Sequence, residues 1–172
     1  MKGVYKMAVW WLAIDRQYTS YTELKHRKII AQGWPKLGDL TGICPLVTSG
    51  NRAEFVAVVS CLENITSGVT THAAEVIWNM LNMANGDLIV GIEGTVVKGI
   101  CQLEQNGWES YRLLFPEVYE YANTIGFPVI WHDWNSKIFG PPPTPPGQSV
   151  QGIAGLRNEA QRIENTWQNF CS

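Results

Sequence analysis

The chain has 172 residues, of which 45% are apolar and 16% are charged, and this composition excludes intrinsic disorder. A chain of this length buries roughly 70% of its unfolded surface, so it needs neither a disulfide nor a metal to fold. Thirteen Lys and Arg against fifteen Asp and Glu give a net charge of −2. Any binding to nucleic acid must therefore come from a local basic patch.

The first apolar segment, residues 7–14, predicts a buried central strand. It is too short to span a membrane, and it lacks the small-residue cleavage site of a signal peptide. The cysteines contain no C-x-x-C pair, which argues against a zinc site or a disulfide framework. We therefore expect a cytoplasmic protein with reduced thiols, no membrane partner, no metal and no other cofactor.

The next segments alternate between helix and loop. Residues 19–30 predict a short helix opened by Thr and Ser caps and ended by the Gln-Gly-Trp-Pro sequence at 32–35. Residues 36–51 contain several Gly and Pro and predict a loop. Residues 52–65 and 73–83 carry apolar side chains at helical spacing, so each predicts a helix with one apolar face.

The second half of the chain changes to a period of two residues. Residues 87–92 and 96–103 predict a hairpin, and residues 108–115 and 127–134 predict two further strands. A stiff Pro-rich spacer at 140–147 precedes a helix predicted over residues 153–170. We expect an α+β fold with a small, mostly antiparallel barrel: a domain at 1–139, a linker at 140–151 and an amphipathic helix at 152–172.

The C-terminal helix carries an apolar stripe on one face, formed by Ile153, Leu156, Ala160, Ile163, Trp167 and Phe170. A stripe of this kind is rarely left in water. We expect it to pack against the barrel or against a second copy of the chain, which would make a homodimer. A connection to an effector module is the alternative. We also expect residues 1–139 to fold and to bind their ligand without this helix.

The sequence contains little that supports catalysis. The histidines are scattered, and neither a metalloprotease motif, nor a nucleophile elbow, nor a phosphate-binding loop is present. His132 and Asp133 are adjacent, but neighbours on a strand point to opposite faces and cannot act as a pair. We therefore predict a protein without catalytic activity of its own.

Trp34 is the most informative of the eight tryptophans. It lies between Gly33 and Pro35, just after a predicted helix, where it can neither extend an apolar helix face nor pair in a sheet. Such a residue is either a plug over the core or one wall of a pocket. The residue pattern alone leaves these two interpretations equal.

Four short motifs carry a resemblance to a known family: IAQGWP at 30–35, GDL at 38–40, NGDLIV at 85–90 and KGICQL at 98–103. In this order they resemble the EVE/YTH branch of the PUA-like superfamily, over residues 9–134. That branch has a barrel in which a first strand leads to a helix and a Gly-Trp corner. The helical segment 48–84 departs from the family, because it is longer than a minimal domain of this kind needs.

The resemblance implies a site that reads a flipped, modified base in an aromatic cage. The base would be methylated or hydroxymethylated cytosine in DNA, or methyladenine in RNA. Trp34 would be one wall, and a second would come from Trp131 or Trp134, with Trp108 less favoured. Asp15 could accept a hydrogen bond from an exocyclic amine, or it could be only a strand-end carboxylate or a helix cap.

A run of basic residues adjoins the Trp34 corner and comprises Arg16, Lys25, His26, Arg27 and Lys28. Five such groups in thirteen residues predict a phosphate footprint, which Arg112 and Lys137 would extend. The alternative is an ordinary solvated helix face.

Together these observations predict a module that binds modified DNA or RNA and serves a modification-dependent restriction or antiphage system, together with an effector nuclease or ATPase. Two alternatives stay open. One is a PUA-like relative that binds a small molecule or a free nucleotide, or acts on it as an enzyme. The other is an oligomerisation protein that uses the C-terminal helix.

Overall fold

The computed structural model describes residues 7–67, 73–114, 125–144 and 153–172. The helices in chain order are α1 (Tyr21–Arg27), α2 (Cys44–Thr48), α3 (Arg52–Ser67), α4 (Ala73–Leu81), α5 (Gly107–Ser110), α6 (Ser136–Phe139) and α7 (Ala160–Cys171). The strands are β1 (Val9–Ile14), β2 (Ile29–Gln32), β3 (Leu88–Glu93), β4 (Val96–Gln102), β5 (Arg112–Leu113), β6 (Ile125–Pro128), β7 (His132–Asp133) and β8 (Ile153–Gly155).

The strands form two sheets. The main sheet has the order β7-β4-β3-β1-β8, with β1 parallel to β3 and the other pairs antiparallel. The smaller, antiparallel sheet has the order β2-β6-β5. The α+β class is therefore confirmed. Within the described ranges the two sheets do not join into a closed barrel, so the PUA-like barrel stays a prediction.

Both faces of the main sheet are covered, which explains why β1 is a continuous apolar run. On one face Leu12, Ile89 and Cys101 belong to a core shared with α1 to α4 and the smaller sheet. On the other face Trp11 and Val90 belong to a second core, which α6 and α7 cover. Side chains on β1 and β3 alternate between these two cores, as the pleat of a strand requires.

The helix predicted over 19–30 is shorter than expected. Ser20 caps its N-terminus by accepting a hydrogen bond from the Glu23 amide at 3.2 Å. The helix ends at Arg27 because Lys28 takes a left-handed conformation with φ 56°. The β-branched residues that follow then pair with β6 as strand β2. The Gln-Gly-Trp-Pro sequence therefore ends a strand and not a helix.

The prediction of a loop over 36–51 is also wrong. This segment holds two 3-10 turns, Pro35–Leu37 and Thr41–Ile43, followed by α2. Pro45 lies in the first turn of α2, where a missing amide proton costs nothing because that group has no partner within the helix. Gly38, between the two 3-10 turns, and Gly50, after α2, take positive φ angles, so these glycines turn the chain between folded elements.

The predicted hairpin is confirmed as β3 and β4, and the predicted helices over 52–65 and 73–83 are confirmed as α3 and α4. The strand expected over 108–115 instead begins as helix α5, because Asn106 and Glu109 form a capping box; only β5 follows. The strand expected over 127–134 is two strands, since β6 lies in the smaller sheet and β7 in the main sheet.

The C-terminal segment begins as a strand, not as a helix. β8 pairs with β1, whose backbone groups on that edge would otherwise lack partners, and α7 begins only at Ala160. Ile163 and Trp167 are buried against Phe139 and the second core. The expected packing of the tail against its own chain is therefore confirmed. The second half of the predicted linker, from residue 145, lies outside the described residues. Across the described ranges, the helices are all too short or too polar to cross a membrane.

Candidate functional site

A cleft of about 1020 Å³ opens between two segments that are distant in sequence. Residues 39–48 form its first wall and residues 108–113 form its second wall. Tyr111 joins the two walls, because its hydroxyl accepts a hydrogen bond from the Leu40 amide at 3.0 Å. The burial of Tyr111 raises its pKa to about 12, so the hydroxyl stays protonated at neutral pH.

The first wall begins at Asp39, whose side chain organises the turn that follows. One carboxylate oxygen accepts from the Thr41 amide at 2.9 Å and from the Thr41 hydroxyl at 2.6 Å. These bonds, the hydroxyl one first, lower the pKa of Asp39 below its usual value. Asp39 is therefore an ionised acceptor at neutral pH, held at the edge of the cleft.

The second wall begins with helix α5, whose capping box determines where its side chains point. Glu109 accepts hydrogen bonds from the Asn106 amide and side chain, at 3.2 and 2.9 Å. Trp108 lies one residue before Glu109 and lines the cleft with 37% of its surface exposed. This half-exposed ring is a surface on which a flat molecule can stack.

Arg112 supplies the positive charge of the cleft. One of its terminal nitrogens donates to the carbonyl oxygens of Tyr111 at 2.7 Å and of Glu109 at 3.4 Å. Among the residues that the structure describes, no carboxylate forms an ion pair with it. With respect to residues 7–67, 73–114, 125–144 and 153–172, its other terminal nitrogen can donate to a ligand. With Asp39 and Glu109 as the acids, the lining carries two negative charges against one positive charge.

Cys44 also lines the cleft, but its environment does not make it reactive. Burial raises the pKa of its thiol, and the sulfur lies 3.7 Å from the Leu40 carbonyl oxygen. A nucleophilic cysteine requires a lowered pKa. The geometry of the cleft therefore favours binding over covalent chemistry.

Trp34 does not line this cleft. It is half-buried against the first core and has a φ of 67°, the left-handed region that a bulky residue before proline strongly disfavours. Its carbonyl oxygen accepts from the Leu37 amide at 3.1 Å and so starts a 3-10 turn. This strained corner directs the chain from β2 towards Asp39.

Trp131 and Trp134 lie against opposite faces of the main sheet, so the structure does not bring them together. Trp131 is only 4% exposed, and its indole nitrogen donates to the Ile29 carbonyl oxygen at 2.8 Å. A Cβ atom on Gly91 would lie 2.8 Å from its ring, which shows how tightly the ring is packed. Trp134 packs against Phe139 with ring centroids 5.3 Å apart.

Asp15 lies in an exposed turn after β1. Its carboxylate accepts from the Gln17 amide at 2.9 Å, and its carbonyl oxygen accepts from the amides of Tyr18 and Thr19. This is the position that the strand-end alternative predicts, and Asp15 is not among the residues that line the cleft.

Three of the five groups in the basic run form ion pairs within the chain. Arg16 lies 3.1 Å from Glu93 and Lys25 lies 2.6 Å from Asp133. Arg27 pairs with Glu23 one helical turn away, at 3.0 Å. Lys28 is exposed and lines a separate, smaller cleft of about 280 Å³. The basic run is therefore largely neutralised by nearby carboxylates.

Neither Asp39 nor Tyr111 is predicted as a site residue from the sequence. The Asp-x-Thr spacing at 39–41 is a local signal that predicts an Asx turn. The hydrogen bond between Tyr111 and Leu40 joins residues 71 positions apart and has no local signal.

Within the described ranges, His, Cys, Asp and Glu do not gather in groups of three that could hold a metal ion. In comparisons with protein-family models, with curated proteins and with solved structures, nothing matches this chain, so the likeness to the EVE/YTH branch rests on the sequence motifs alone.

Proposed function

We propose that this chain is a non-catalytic module with a PUA-like arrangement of its two sheets, and that it binds a modified nucleobase of DNA or RNA in the cleft between residues 39–48 and 108–113. One observation carries the proposal: a half-exposed Trp108 ring lies on the same wall as Arg112, which has no ion-paired carboxylate in the part of the chain that the structure describes. Trp108 stacks on the flipped base, and Arg112 contacts the phosphate beside it. The resemblance to base readers supports the same class of ligand.

In such a complex, stacking on an aromatic ring offsets the free-energy cost of flipping the base. Flipping a base out of a stack costs a few kcal/mol. Stacking on one aromatic ring contributes roughly 1–3 kcal/mol, and burial of an added methyl group contributes about 1 kcal/mol. Stacking on tryptophan therefore offsets part or all of the flipping cost for any base, and the buried methyl group favours the modified base by about 1 kcal/mol. The partner with catalytic activity would be a separate nuclease or ATPase.

Replacing Trp108 with alanine tests the site. We expect the change to weaken binding by roughly 1–3 kcal/mol, because one stacking surface is lost. Fluorescence anisotropy with matched oligonucleotides that carry cytosine, 5-methylcytosine, 5-hydroxymethylcytosine or N6-methyladenine measures it. Tyr18→Ala is the control, since Tyr18 is 50% exposed and does not line the cleft. Unchanged affinity in Trp108→Ala would show that the base binds elsewhere.

A second candidate function is the binding of a free nucleotide or another small aromatic molecule. Two observations favour it: the basic residues of the α1 region are paired with carboxylates, and the cleft lining has more acids than bases. A metabolite needs no row of phosphate contacts, whereas a nucleic-acid strand does.

The salt dependence of binding separates the two candidates. If α1 contacts a phosphate backbone, Arg27→Gln with Lys28→Gln should weaken binding to modified and unmodified oligonucleotides alike. The slope of log affinity against log salt concentration should then fall by roughly 0.7–0.9 per lost contact. Arg157→Gln, an exposed charge in the C-terminal segment, is the control. A slope that does not change in the double variant would favour the small-molecule candidate.

A further inference from the structure

The cleft contains a carboxylate whose orientation suits the recognition of an amine. Asp39 lies on the first wall, and Trp108 lies on the second. We propose that the cleft selects aromatic rings that carry an exocyclic amino group, with Asp39 as the hydrogen-bond acceptor for that group. This inference rests on the proposed function and names the class of base that the site takes.

Asp39 is held in place by the protein itself. The Thr41 amide and hydroxyl both donate to one of its oxygens. A carboxylate offers about four acceptor positions on its two oxygens, so these two donors leave capacity for a further hydrogen bond. The group is therefore oriented before a ligand arrives and needs no rearrangement to accept another hydrogen bond.

The charge state of Asp39 decides which partner it takes. The bonds from Thr41 keep its pKa low, so the carboxylate is ionised and accepts hydrogen bonds without donating any. At C4 of a pyrimidine or C6 of a purine, cytosine and adenine present an amino group, whereas thymine and guanine present a carbonyl oxygen, and the amino group of guanine lies at C2. A carbonyl oxygen facing Asp39 would leave two acceptors opposed, with neither satisfied.

Glu109, the other acid of the lining, is committed to a different task. Its carboxylate folds back onto Asn106, where it accepts from the amide and the side chain and completes the capping box of α5. Arg112, by contrast, has donors that suit a phosphate or a ring carbonyl oxygen. Asp39 and Glu109 each accept two hydrogen bonds on one oxygen, and we assign the amino group to Asp39 because it lies on the wall opposite Trp108, whereas Glu109 is the neighbour of Trp108 in α5.

A pair of bases with the same ring and methyl group provides the test. In the same single-stranded oligonucleotide, 5-methylcytosine has an amino group at C4 and an unprotonated N3, whereas thymine has a carbonyl oxygen at C4 and a proton on N3. We expect the wild-type protein to bind the 5-methylcytosine strand about tenfold or more tightly than the thymine strand, as a matched hydrogen bond to a base edge allows. An otherwise identical strand with an abasic site measures binding without a base.

Asp39→Asn is the matched variant, because asparagine also forms Asx turns and its amide can either donate or accept. We expect its preference for 5-methylcytosine over thymine to fall below about threefold. The reason is that the asparagine amide can accept from the amino group of one base or donate to the carbonyl oxygen of the other. Thermal unfolding verifies that the variant is folded. If the variant does not fold, the affinities of the wild-type protein for the 5-methylcytosine and thymine strands still test the inference.

The outcomes separate the inference from the proposed function. If the wild-type protein binds both strands equally but more tightly than the abasic strand, amino-group selection is wrong and base binding stands. If Asp39→Asn folds and keeps the full preference, the role of Asp39 is wrong. If neither base adds affinity over the abasic strand, the proposed function itself fails.

Discussion

Deleting the residues after Phe139 is expected to unfold the protein, although the sequence alone predicts that residues 1–139 fold by themselves. The deletion removes β8, which pairs with β1 along Trp10 to Leu12. It also removes α7, whose Ile163 and Trp167 are almost completely buried. The second core, on that face of the main sheet, would then be open to water. Each large core side chain lost from such a cluster costs about 3–5 kcal/mol, and a typical domain is stable by only about 5–15 kcal/mol, so the loss of two exceeds or removes most of that margin.

Circular dichroism and thermal unfolding measure this effect. Trp167→Ala is a milder version and should lower the free energy of unfolding by about 3–5 kcal/mol. Gln168→Ala, at an exposed neighbouring position on α7, is the control and should change it by less than about 0.5 kcal/mol. A truncated protein that unfolds cooperatively near the wild-type temperature would show that the C-terminal segment is an independent appendage.

Replacing Trp131 with alanine is expected to lower the free energy of unfolding by about 3–5 kcal/mol, because a large buried ring leaves a cavity. The ring packs edge-to-face on Tyr21, with centroids 5.5 Å apart, and against the backbone of Gly91. Its loss also leaves the Ile29 carbonyl oxygen without the hydrogen bond that the indole donates. Urea unfolding followed by circular dichroism measures the change.

Trp108→Ala is the matched comparison for this measurement, since its ring is half-exposed and should cost less than about 1 kcal/mol of stability. The two variants thus distinguish a core residue from a site residue: Trp131→Ala should lose stability, and Trp108→Ala should lose binding. A Trp131→Ala protein with unchanged stability and weakened binding to the modified base would instead show that Trp131 is a wall of the cage, as the resemblance implies.

The elements with a strong repeating pattern could be predicted from the sequence. The apolar run of β1, the alternation in β3 and β4 and the helical spacing in α3 and α4 each reflect burial on faces that recur with a fixed period. These patterns are local, because within one element the side chains that face the core recur at a fixed spacing. Short elements lack enough residues for a period, so β5 and β7, with two residues each, could not be predicted.

The candidate site was predicted only in part. Trp108 and Arg112 were among the residues that the sequence singled out, but ranked behind other candidates, and the structure places both on one wall. The basic run at 16–28 predicted a phosphate footprint, whereas Arg16 and Lys25 pair with Glu93 and Asp133, which lie 77 and 108 positions away. No local pattern can reveal a counterion supplied by a distant strand.

The sequence by itself determined the α+β class, the buried first strand and the absence of known catalytic motifs, since these follow from composition, periodicity and residue identity. The tertiary structure alone decided that residues 29–32 and 153–155 are strands. Both segments become strands because a partner, β6 or β1, satisfies their backbone hydrogen bonds. The tertiary structure also decided that Asp39 and Trp108 line the same cleft. Their two segments lie about 70 residues apart, so their approach depends on the packing of the whole core and not on the sequence of either segment.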